Sequence, residues 1–142
     1  DQTSAVLTGD PFASVNTRFS GFSRPTWEWD GTLGMFLRYQ TNGAADSASS
    51  GTQLFANNVV ILQVGIDVIE DIPTTRLVNQ GKGWIATGGS IVEISWSKAT
   101  AESPIVLTTA DGQAVLLSQG NTWVELVPNE NSDVDAGVVT IK

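Results

Sequence analysis

The chain has 142 residues, with 15 acidic and 7 basic side chains, a formal charge of −8, and neither cysteine nor histidine. Those absences exclude disulfides, thiolate catalysis, cysteine-ligated zinc, a lipid-bearing cysteine within the segment, and imidazole as general base or metal ligand, so no metal or cofactor is expected. The acidic balance repels a polyanion, which argues against a nucleic acid partner, and no apolar run reaches the roughly 18 residues of a membrane span, so no direct insertion by this segment is expected.

Residues 1–12 hold no strong period and read as an N-terminal arm or linker ending near Asp10-Pro11, which leaves 13–142 as a single β domain. SVNTRFS (14–20) alternates apolar and polar residues as a half-buried strand does. TWEWD and GMFLRYQ read as two strands about a short loop, with Trp27 and Trp29 on one face, Leu37 and Tyr39 sharing another, and Phe36 with Arg38 opposite them. TNGAADSASSG (41–51) is a loop by every local signal. The run NNVVILQVGIDVIEDI is too apolar at 59–62 for a one-sided strand; its Val and Ile content favours a central strand covered on both sides over a helix. TTRLVNQ (74–80) reads as a connection or short helical turn.

GKGWIATGGSIVEISWSK (81–98) organises the chain. Gly88-Gly89 suits a two-residue primed turn, setting Thr87 opposite Ser90, Ile85 opposite Val92, and Trp84 opposite Glu93. Ile85, Val92, Ile94 and Trp96 then share one face, read as the core face, with Trp84, Ile91, Glu93 and Ser95 on the other. After a turn-rich linker come strand IVLTT, an Asp111-Gly112 turn, strand AVLLS, strand TWVELVP, a flexible acidic loop NENSDVDAG and a final strand GVVTIK. About nine strands with little helix predict an all-β fold, mainly an antiparallel sandwich or partly open barrel.

GKGWIATGGSIVEISWSKATAESP followed by ADGQAVLLSQGNTWVELVP resembles the C-terminal domain of the YerB family of bacterial lipoproteins, with its Gly-rich hairpin, W-x-K strand, D-x-x-G turn, G-x-T-W and closing V-P. FLRYQTNGAADSASSGTQLFANNVVIL resembles the family's Y-x-R strand, acid-bearing loop, T-G-x-Q step and N-V-V strand, so the likeness runs from Trp27 to Pro128 in order. The resemblance implies a domain of unknown function from an extracytoplasmic protein, anchored through a lipidated N-terminus and joined to a larger N-terminal domain. Many members of that family carry a histidine near the loop acid; here Ala44 and Ala45 precede Asp46, so a histidine-dependent activity could not operate in this chain.

Each candidate site residue has a structural explanation beside the functional one. Arg38 and Asp46 match family motif positions; a guanidinium beside a loop carboxylate can bind a carboxylated ligand, or simply pin the loop to the sheet. The Asn58 amide can serve a ligand or cap backbone groups. Trp96 reads as core, with Lys98 reaching water at the strand end. Trp84 and Trp123, with Trp27 and Trp29, form a sugar-stacking platform if exposed and coplanar; burial is the simpler alternative. Glu28, Asp30, Glu93 and Glu125 supply a catalytic carboxylate pair only if two of them converge, and Glu130, Asp133 and Asp135 lack EF-hand spacing, so no catalytic or metal residue is assigned. The reading is a non-catalytic extracytoplasmic module that binds an envelope protein or peptidoglycan. The alternatives are a carboxylate-dependent glycan hydrolase or purely structural support for its own N-terminal domain.

Overall fold

The computed structural model describes residues 10–19, 23–76, 79–115 and 117–142. Among these residues twelve strands run in order: β1 (Asp10–Pro11), β2 (Ser14–Arg18), β3 (Thr26–Asp30), β4 (Met35–Tyr39), β5 (Phe55–Ala56), β6 (Asn58–Ile69), β7 (Ile72–Arg76), β8 (Asn79–Thr87), β9 (Ser90–Lys98), β10 (Val106–Thr109), β11 (Thr122–Pro128) and β12 (Val138–Ile141). No helix occurs among the described residues. Most of the expected N-terminal arm, and the expected strand or connection residues Ser20, Leu77, Val78 and Leu116, lie outside them. Asp10 and Pro11 pair with Ile91 and Ser90, so the described end of that arm is already part of a sheet.

The strands form two sheets, one ordered β1-β9-β8-β6-β11 with β10 added to β9 and β7 to β6, the other ordered β12-β2-β3-β4-β5. The result is an all-β sandwich. Between the sheets lie Val15, Trp27, Phe36 and Ala56 from the smaller one and Val59, Ile61, Ala86, Ile91 and Val127 from the larger. The central hairpin has the expected register, Thr87 opposite Ser90 and Trp84 opposite Glu93. Gly88 and Gly89 sit at φ of 58° and 81°, the left-handed values that a primed turn requires.

The expectation of one core face on this hairpin is corrected: both faces are covered. Trp84 and Ile91 join the inter-sheet core, whereas Ile85, Val92, Ile94 and Trp96 join a second cluster on the outer side with Val60, Leu62 and Val64 of β6. Leu107, Val115 and Leu117 cover that cluster. The expected strand AVLLS is therefore not a strand; Ala114 makes one isolated bridge to Thr108, and Val115 and Leu117 are spent on packing across the outer face. This crossing carries the chain to β11, which pairs with β6 in parallel from Thr122 opposite Asn58 to Pro128 opposite Val64. A parallel partner needs such a long crossover, and turn signals alone do not announce it.

Two loops are also more ordered than their sequences suggest. Residues 72–76 form β7, an antiparallel partner of β6 that closes with Ile69 opposite Ile72. The two turn residues, Glu70 and Asp71, hold φ of 49° and 65° without glycine or asparagine, so the usual hairpin signal is missing. The acidic loop is likewise tied down: Asn129 N donates to Val64 O (2.8 Å), Asp133 N donates to Ile66 O (2.7 Å), and Val68 N donates to the Asp133 carboxylate (2.9 Å). It continues the edge of β6 where β11 ends.

Candidate functional site

The site begins with a cross-strand pair. Trp27 on β3 lies directly opposite Arg38 on β4, and directly opposed residues project from the same face, so the guanidinium reaches over the indole. Strand alternation gives β11 the matching group: Trp123, Glu125 and Val127 share a face. The two sheets meet here. Glu125, 6% exposed, accepts hydrogen bonds from Trp27 Nε1 (3.1 Å) and Arg38 Nη2 (3.4 Å). The Arg38 guanidinium lies 5.8 Å from the Trp27 ring and 5.0 Å from the Trp123 ring, and those two rings meet edge-on with centroids 5.3 Å apart.

The opposite end of the guanidinium pairs with a loop acid. Arg38 Nη1 donates to Asp46 Oδ2, and the loop backbone is fixed to the same residue, Asp46 N donating to Arg38 O at 3.0 Å. Gln53 Nε2 donates to that carbonyl as well (2.9 Å). Both terminal nitrogens of Arg38 are thus committed, while the buried Nε finds no acceptor among the described residues. Cation–π contact with two indoles and ties to two carboxylates fix the orientation of a side chain that otherwise has many rotamers.

Beside Arg38 and Asp46 an open recess of about 480 Å³ is lined further by Ser23, Pro25, Gln40, Thr41 and Asn42. Its rim is polar and built from the chain leaving β4. Asn42 Oδ1 accepts from Ala44 N (3.0 Å), and Thr41 Oγ1 accepts from Arg24 N (2.9 Å), so side chains of the rim shape the rim itself.

Of the six candidate ligand residues, Arg38, Asp46 and Trp123 come together here, and Asn58, Trp84 and Lys98 do not. Asn58 is wholly buried; its Oδ1 accepts from Thr87 Oγ1 and Ser118 N (2.9 Å each), and its Nδ2 donates to Ser118 O (2.8 Å). The two bonds to Ser118 tie the crossover to the sheet, and the bond to Thr87 joins β6 to β8. Trp84 is half-buried against the inter-sheet core. Lys98 Nζ donates to Ser103 O and closes the turn after β9. The indoles form no exposed row: Trp27 and Trp96 are buried, Trp29, Trp84 and Trp123 half-buried. The strand acids are dispersed, with Glu28 and Glu93 exposed and Asp30 accepting from Thr32 N and Leu33 N (2.9 Å each). Glu125 is the exception, and sequence reasoning did not connect it to Arg38. Its signal was present in the alternation that places it between Trp123 and Val127 on an inward face.

The family model for the C-terminal domain of a protein family of unknown function, DUF3048, matches residues 15–124, a span that holds Trp27, Arg38 and Asp46 and stops one residue short of Glu125. The chain belongs to the DUF3048 C-terminal domain family. Among solved structures, this DUF3048 domain is similar to the crystal structure of YerB from Bacillus subtilis, with a TM-score of 0.71 and 19% identity over 94% of this chain and 45% of that one. The likeness establishes a shared fold; the DUF3048 domain spans less than half the length of the YerB chain. No curated protein matches the sequence.

Proposed function

We propose that this domain is a non-catalytic binding module of an extracytoplasmic bacterial lipoprotein, engaging an envelope protein or the peptide-bearing cell wall through the recess beside Arg38. The observation that carries the reading is the fixed guanidinium at the edge of an open recess, with the polar side chains of Asp46, Gln40 and Asn42 around it. Such a rim recognises polar backbone and amide groups by hydrogen bonding, whereas inward-packed indoles offer little for stacking sugar rings. A glycan hydrolase fits less well, because Glu125 is buried beneath Trp27 and Arg38 and the other strand acids stand apart. Envelope location and lipid anchoring rest on the family resemblance.

The test is sedimentation of the domain with purified peptidoglycan sacculi, alongside pull-down from solubilised envelope proteins. Wild-type protein is expected to be retained by one of the two, and Gln40→Ala/Asn42→Ala, altered only at the rim, to lose about tenfold in affinity. Retention by neither material, or an unaffected rim variant, defeats the reading.

A further inference from the structure

The hairpin of β6 and β7 extends past both neighbours of β6, since pairing with β8 covers Asn58 to Leu62 and pairing with β11 ends at Val64. All five residues of β7 are exposed. Along one face of β6 the apolar row Val60, Leu62, Val64, Ile66, Val68 passes out from under its cover: the first three are buried, Ile66 is partly so, and Val68 is 40% exposed opposite the exposed Pro73. The other face ends in the cross-strand pair Ile69 and Ile72, 55% and 64% exposed. A soluble surface seldom places apolar groups on both sides of one projection.

The base of this finger is braced. Arg76 Nε pairs with Asp67 Oδ2 at 2.8 Å, Arg76 Nη2 donates to Asn131 O at 2.8 Å, and Asp133 holds Val68 N. An isolated two-stranded ribbon is only marginally stable, and this one carries an anchored stem with apolar side chains flanking its acidic turn.

We infer that the apolar flanks of the finger, Val68 on one face and Ile69 with Ile72 on the other, pack against an apolar groove of an N-terminal domain of the same polypeptide, with the Glu70-Asp71 turn left in water. Two observations select that occupant. The matched family is defined as a C-terminal domain, and the domain's fold accounts for only 45% of the YerB chain, leaving a large companion segment in a protein of this architecture. The acids Glu70 and Asp71 at the very tip disfavour an anionic lipid surface.

Hydrogen–deuterium exchange compares the full-length protein with the 142-residue chain. Amides of 66–76 are expected to exchange about tenfold or more slowly in the full-length protein, and Ile69→Ser/Ile72→Ser to restore the faster rate there. Retained protection at residues 60–62 verifies that the variant folds, and Val68→Thr provides a milder second probe of the opposite face. Equal rates in the two wild-type proteins overturn the inference, as does protection that grows with concentration of the 142-residue chain alone, the mark of a second copy, or that appears only with vesicles.

Discussion

Trp27 and Glu125 stand 98 residues apart in sequence and on different sheets, yet the Trp27 indole N–H donates to the Glu125 carboxylate at 3.1 Å inside the inter-sheet core. Arg38 completes the group, so a buried charge is matched by an opposite charge and a neutral donor together. Removing one member exposes the others to an apolar surrounding without compensation. Glu125→Ala is expected to destabilise the fold by about 3 kcal/mol, and Glu125→Gln, which keeps an acceptor for Trp27, by roughly half as much. Urea denaturation at neutral pH separates the two.

Arg38→Lys retains the charge and is still expected to be damaging. An ammonium cannot address Asp46 and Glu125 in the fixed fork of a guanidinium, nor stack its plane against Trp123. A loss of about 2 kcal/mol in stability is expected, together with a change in tryptophan fluorescence as the planar guanidinium beside the two rings is replaced by a smaller, more strongly hydrated cation.

Asn58→Ala should be among the most destabilising polar substitutions. It leaves Ser118 N and Ser118 O without the Asn58 amide and removes one of two partners of Thr87 Oγ1, which keeps Ser118 Oγ; each buried group left unpaired costs about 1–3 kcal/mol. A total near 3 kcal/mol is expected by chemical denaturation, with the crossover at 114–121 gaining proteolytic sensitivity first.

Gly81→Ala tests a close approach in β8. The Trp96 indole occupies the space that a Cβ at position 81 would need, and Trp96 Nε1 donates to Gln63 O at 2.9 Å from that position. Displacing the ring breaks this bond and disturbs the outer cluster, for an expected cost of about 3 kcal/mol with a red-shifted Trp96 emission.

The β6–β7 turn offers a change in the opposite direction. Glu70→Asn/Asp71→Gly places residues tolerant of positive φ where both are required, and a gain of about 1 kcal/mol is expected, read as a rise in melting temperature.

Sequence patterning reached much of the fold because the relevant signals were local. Gly88-Gly89 carries its own turn chemistry, and the continuous apolar stretch from Val59 to Leu62 reflects burial on both faces. What escaped it depended on partners distant in the chain. Apolar content in 114–118 cannot distinguish a strand from a cover lying across another strand, and the parallel alignment of Thr122 with Asn58 has no turn to declare it. The site divided the same way. Arg38 and Asp46, eight residues apart, are readable as a pair; Glu125 enters the sequence reading only as one of four strand acids that could converge, although its neighbours Trp123 and Val127 mark an inward face.

The parallel pairing of β6 with β11 bears on biogenesis. A ribosome delivers the chain from its N-terminus, so one side of the most apolar strand is left without a ladder partner until residues 122–128 emerge, some sixty positions later. During that interval a nascent polypeptide halted near residue 120 carries an open, adhesive flank, and the expected fate of such truncated products is aggregation or capture by a holdase.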